Sequence, residues 1–181
     1  MLCSLQLRII IVILRSTVKV LSEFGFPGGF HAAKRSARPF RGRQGQSMKQ
    51  PPRTGLTGEL TVLVGPDNRI SFADARMPSV LATPWLIAYL EYAARDAIAP
   101  LLDVNERSVG TFVEVQHLAP APEGFTVVCR ARVIHVDGMA VTFQVEAHDG
   151  VEFIAKGIHR RHVIDVDRFT RRVEKKKAKI Q

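Results

Sequence analysis

The sequence predicts an α+β domain in which an antiparallel sheet of about five strands wraps around one long helix. Three observations support this. One stretch, 83–101, repeats apolar residues at three- and four-residue spacing. Several shorter stretches alternate apolar with polar residues or are rich in β-branched ones. Two Asp-Gly pairs sit between such stretches, where a tight hairpin calls for positive φ.

The first strand is Gly58 to Val64 (GELTVLV), stopped by the turn formers Gly65-Pro66-Asp67-Asn68. A polar, irregular segment runs on to about Val80. The helix then has a clear start, with Thr83 as N-cap and Pro84 at the first helical position. Leu86, Leu90, Ala93, Ala94, Ala97 and Leu101 form one apolar stripe, and Pro100 ends or bends the helix. Strands follow. Val109, Thr111, Val113, Val115 and His117 alternate with Gly110, Phe112, Glu114 and Gln116 until Pro120 and Pro122 break the run. Glu123-Gly124 turns the chain into Phe125–Val136, Asp137-Gly138 turns it into Ala140–Ala147, and Asp149-Gly150 turns it into Val151–Val166, with a bend expected at Gly157. The expected body is thus one strand, one helix and a four-strand antiparallel meander. Trp85, Ile87, Tyr89 and Ile98 carry apolar surface beyond the helical stripe. A second copy of the chain is the expected cover, making a homodimer.

Charge divides the chain into three parts. The net charge of +9 looks like a nucleic-acid signal until it is located: residues 1–53 hold ten Lys/Arg and one acid, whereas 54–181 hold sixteen of each sign. Seven of the latter basic residues lie in 168–181, so 54–167 is net −6. An acidic body argues against a domain-wide phosphate-binding face, and neither nucleic acid nor membrane is an expected partner. Residues 54–167 are read as the folded domain, 168–181 as a solvated basic tail and 1–53 as a disordered basic extension. The apolar run Ile9–Leu14 is far shorter than the ~20 residues a bilayer needs. Met48 offers a later start, and residues 1–47 are expected to be dispensable or an over-long gene start. Cys3 and Cys129 make no framework or zinc spacing and suit a reducing cytoplasm.

The segments LATPWLIAYLEYAARDAIAPLL, SVGTFVEVQHLAPAPEGFTV and EAHDGVEFIAKGIHRRHVI, in this order of elements, resemble the fluoroacetyl-CoA thioesterase family of hotdog-fold enzymes over about residues 56–170. The shared features are Ala-Thr, a Glu eight residues later, Val-Gly-Thr, a His six residues after that Thr, and a His-Asp-Gly turn. The resemblance implies hydrolysis of a short-chain acyl-CoA, with CoA as part of the substrate and no separate cofactor or metal. It implies that Thr83, Glu91 and His117 match the catalytic threonine, glutamate and histidine, and that Gly110 matches a glycine where the backbone approaches the thioester. Asp74 and Met77 stand where the founding enzyme closes its pocket with phenylalanines. Met77 thereby becomes a substrate-binding candidate, and this departure leaves the fluoroacetyl preference open.

The residues also have plainer readings. Thr83 can simply cap the helix, whose free N–H groups would equally favour a developing oxyanion. Glu91 has Ile87, Ala94 and Ile98 on its face; it either reaches water or Arg95, or acts as base or nucleophile. His117 ends an apolar strand face and is either a core histidine or a proton carrier. Thr83 and Glu91 lie ~12 Å apart along one helix, so they cannot bond directly; either the substrate bridges that distance or one of them acts with residues of a second subunit, and a site at a dimer interface is the economical solution. His135, His148, His159 and His162 have no metal-ligand spacing and are read as structural, His148 as a buttress of the Asp149-Gly150 turn. No P-loop, dinucleotide glycine pattern, nucleophile elbow or metalloprotease helix is present. Two alternatives remain beside the hydrolase: a hotdog hydratase or dehydratase, and a non-catalytic module binding through its basic tails.

Overall fold

The computed structural model describes residues 48, 50–70 and 76–180, together with the backbone of residues 7–11. In chain order the elements are strands β1 (Leu7–Ile11) and β2 (Thr57–Leu63), helix α1 (Thr83–Ile98) and strand β3 (Glu106–His117). Strands β4 (Thr126–Asp137), β5 (Ala140–His148) and β6 (Phe153–Asp165) and helix α2 (Val166–Lys177) follow. One antiparallel sheet holds all six strands in the order β1-β3-β6-β5-β4-β2. The expected α+β arrangement of a curled sheet around one helix is therefore present.

The meander is shorter than expected. β4, β5 and β6 are sequential neighbours, but β3 pairs with β6 instead of β4. The long connection from His117 to Thr126 carries the chain across the sheet, so β3 and β2 lie on opposite flanks of β4–β6. Gly138 (φ +55°) and Gly150 (φ +93°) supply the positive φ at the two hairpins. His148 Nδ1 accepts from Gly150 N at 2.8 Å, the buttress expected of it.

α1 lies mainly on β2 and β4. Its buried side is Leu86, Leu90, Ala93, Ala94, Ala97 and Ile98, the expected stripe with Ile98 replacing Leu101, which falls in a 3-10 turn after the helix. The alanines are what let the helix sit low. At Gly58 on β2 an added Cβ would collide with the Ala93 carbonyl and the Ala97 side chain, so strand and helix meet backbone to backbone. Gly157, expected at a bend, has a packing reason: a Cβ there would collide with the β3 backbone at Glu114 and Val115.

Residues 1–53, expected to stay outside the body, contribute to it at two places. Met48 is buried in the core and Pro52 is also buried, so packing begins before Thr54. Leu7–Ile11 forms β1 against β3, in register Leu7↔His117 to Ile11↔Val113. Its last three residues, Ile9–Ile11, are β-branched, and β3 offers the strand an edge. The basic stretch after Asp167 is likewise ordered: α2 is capped by Asp165, whose Oδ1 accepts from Arg168 N at 2.8 Å. Among the described residues no helix is long and apolar enough to cross a membrane.

The Gly58 contact generates a test. Gly58→Ala should destabilise the fold by about 1–3 kcal/mol, because the new methyl meets backbone that cannot turn aside. Urea unfolding of the two proteins measures it, and an unchanged midpoint would mean α1 sits higher than described.

Candidate active site

Residues seven apart on a regular strand point to opposite faces of the sheet. On β3, Gly110 and His117 nonetheless both face α1. The pairing with β6 shifts register between Gly110 and Phe112, which leaves exposed Thr111 as the extra residue of a β-bulge. Val113, Val115 and His117 keep the inward phase after the bulge, and Ser108 and Gly110 have it before. The simple alternation from Val109 to His117 expected from sequence is thus broken at Thr111.

Two groups of polar side chains flank this strand. The first stands at the start of α1. Thr83 is the first helical residue and not the N-cap; Ala82 takes that place and no side chain caps the helix. The Thr83 hydroxyl, instead of turning to the backbone, lies 2.9 Å from His117 Nδ1. The expected cap is therefore corrected in favour of a side-chain pair. Burial pushes the His117 pKa below the usual imidazole range, partly offset by the Ala119 carbonyl, so the ring is neutral at pH 7. Its Nε2 is buried with no well-formed hydrogen bond to any described residue.

The second group lies two turns along α1. Glu91 extends its carboxylate over Gly110, where a Cβ would come within 2.5 Å of Oε1, so a side chain there would displace the carboxylate from this position. Behind Gly110 are His159 and Arg161 on β6, both buried. Arg161 donates from Nε to Ser108 Oγ (2.9 Å), from Nη2 to the Ser108 carbonyl (2.9 Å) and from Nη1 to the Glu91 carbonyl (3.3 Å). His159 Nε2 is 3.6 Å from Glu91 Oε1. This is no ion pair, because burial and the neighbouring Arg161 lower the His159 pKa to about 4 and leave the ring uncharged.

The structure thus joins Thr83 with His117, and Glu91 with Gly110, but holds the two pairs apart within one chain. Sequence reasoning placed His159 among structural histidines and passed over Arg161. A signal existed: counting back from buried Val163 in twos places Arg161, His159 and Gly157 on the inward face, and a buried arginine needs partners. Met77 lies exposed on the segment leading to α1, and Asp74 lies outside the described residues. Burial raises the Cys129 thiol to about 12, which makes it inert.

A model of the fluoroacetyl-CoA-specific thioesterase family matches residues 64–167. The fluoroacetyl-CoA thioesterase of Streptantibioticus cattleyicolor is 39% identical over 102 residues, spanning 56% of this chain and 73% of that relative. A crystal structure of a point mutant of the fluoroacetyl-CoA-specific thioesterase superposes with TM-score 0.65 at 34% identity, covering 71% of this chain and 99% of the other. Another of its mutants has been solved in complex with acetyl-CoA. A hot-dog-like protein from Thermanaerovibrio acidaminovorans, at 24% identity, superposes with TM-score 0.64 over 68% of this chain and 91% of its own, and shares the fold.

The lowered histidine pKa values set a pH response. The unfolded chain binds protons at these rings from about pH 6.5 downward, while folded His159 resists until about 4. Stability should therefore fall as pH drops through that window, by up to about 3 kcal/mol for His159 alone. Denaturant midpoints at pH 7, 5.5 and 4.5 measure this; a flat profile would place both rings in water.

Proposed function

The chain belongs to the fluoroacetyl-CoA-specific thioesterase family and is a thioester hydrolase, and from that premise we propose that it cleaves a short-chain acyl-CoA at a site built from Thr83, Glu91, His117 and Gly110. The observation that carries this assignment is the Thr83–His117 bond at the helix start, with Glu91 seated over Gly110 on the same face of the sheet. A hydratase site has no need of a hydroxyl there.

In the proposed reaction, Glu91 acts on the thioester carbonyl as general base through a water or as nucleophile. By the water route, the water oxygen bonds to the carbonyl carbon, its proton passes to Glu91, and the carbonyl electrons move onto oxygen. The C–S bond then breaks and the CoA thiolate leaves, taking up a proton, so that water and thioester become acid and thiol. A thiolate is a good leaving group, which concentrates the catalytic demand on the attack and the oxyanion. The neutral His117 ring holds the Thr83 hydroxyl by the helix N-terminus, where backbone N–H groups favour negative charge. Met77, six residues ahead of Thr83, is the proposed acyl-group contact on this segment.

A homodimer with shared sites is the second part of the proposal. Thr83 and Glu91 are ~12 Å apart along α1, too far to act on one carbonyl within one chain. Trp85 and Tyr92 expose apolar surface on the outer side of the same helix, suited to a partner copy. One site would then combine Thr83 and His117 of one chain with Glu91 and Gly110 of the other.

Both parts are testable. Glu91→Gln should lower kcat by at least about a hundredfold in assays of thiol release from short acyl-CoAs, with unfolding unchanged; near-normal turnover would remove Glu91 from the mechanism. Mixing Thr83→Val with Glu91→Gln chains under subunit exchange should restore about one quarter of wild-type activity, since half the dimers are mixed and each has one intact site. No recovery despite proven exchange would put both residues in one chain.

A further inference from the structure

His159 is fully buried under α1, stacked 6.4 Å from the Phe143 ring, and takes no part in the chemistry proposed above. Its hydrogen bonds nevertheless determine which nitrogen carries the proton. Nδ1 lies 2.8 Å from the Phe112 carbonyl, which can only accept, so Nδ1 donates. Nε2 lies 3.2 Å from Arg161 Nη1, which can only donate, so Nε2 presents its lone pair. The ring is thereby locked between the carbonyl just past the bulge and the guanidinium that grips the Glu91 turn of the helix. Glu91 Oε1 lies 3.6 Å from the same nitrogen. The other tautomer would instead carry an N–H there, within reach of the carboxylate.

We propose that His159 is a positioning residue for Glu91: it fixes the Arg161 guanidinium that anchors the Glu91 carbonyl and Ser108, and it keeps an N–H away from the Glu91 carboxylate. This rests on the reading of Glu91 as base or nucleophile. The arrangement matters because a carboxylate that accepts a strong hydrogen bond is a weaker base and nucleophile than one left open to substrate. The charged groups around the ring are few. Arg161 stands on its own strand and Glu91 on α1, and Arg95 and Asp96 on α1 act on Arg161 from farther along the helix.

His159→Gln is the informative change, because its amide can reach the Nε2 position and donate to Glu91 while the bond to Phe112 is lost. We expect kcat to fall at least about tenfold with KM within threefold, and the acidic limb of the kcat–pH profile to move to lower pH, as for a carboxylate that gains a donor. His159→Asn, which keeps a donor near Nδ1 and loses the acceptor for Arg161, should lower kcat and leave that limb in place; it also serves if the glutamine variant fails to fold. The idea is overturned if the variants are folded at the assay temperature and keep wild-type kcat, or if kcat falls only in proportion to the unfolded fraction with both limbs unmoved. Glu91→Gln assayed alongside separates the two claims: activity in that variant sinks the reading of Glu91, whereas its inactivity beside normal His159 variants sinks this inference alone.

Discussion

Presenting both Gly110 and His117 to one helix poses a phase problem, because a regular strand would turn one of them outward. The extra residue at Thr111 resolves it. Before the bulge the strand offers Gly110, whose missing side chain makes room for the Glu91 carboxylate. After it, Val113 and Val115 seal the core and His117 meets Thr83. Removing the bulge would send either the glycine or the histidine to the solvent face and dismantle one of the two pairs. The low seat of α1 on the sheet, permitted by Gly58, Ala93 and Ala97, is the companion constraint: it brings both Thr83 and Glu91 within reach of β3.

Such a site needs charge in a place where charge is expensive. Arg161 is nearly buried, and its burial cost is offset by four acceptors arranged around a planar fork: the Ser108 hydroxyl and carbonyl, the Glu91 carbonyl and His159 Nε2. The network ties β3, β6 and α1 together at the place where Glu91 must be held. The other pair is less completely satisfied, with His117 Nε2 buried and lacking a well-formed partner among the described residues.

Much of this was legible in the sequence because it rests on short-range signals. Apolar spacing from Leu86 to Ala97 marked the helix and its buried side, and the Asp-Gly turns marked the hairpins. Thr83, Glu91 and His117 stand out in the sequence, the resemblance to the family adds Gly110, and the structure brings the four onto one face in two pairs. Features that depend on pairing between distant strands stayed hidden. Alternation along 109–117 carries no mark of a bulge, since Thr111 suits a strand either way. The neighbour of β3 depends on sheet order, which the hairpin pattern did not reveal. Thr83 looked like a cap because a Thr-Pro pair usually is one; only the histidine 34 residues away redirects its hydroxyl. β1 and Met48 were missed because their partners lie far along the chain and the surrounding basic stretch has no periodicity of its own.

The proposed site requires the two pairs, held apart on one chain, to meet at a single thioester carbonyl. A crystal structure with an acetyl-CoA analogue whose sulfur is replaced by methylene tests it directly. The expected structure is a dimer with the carbonyl carbon about 3–3.5 Å from the Glu91 carboxylate or a water it holds, and the Thr83 hydroxyl of the other chain within hydrogen-bond reach. A carbonyl bound away from Glu91, or contacted by Thr83 and Glu91 of the same chain, would contradict it.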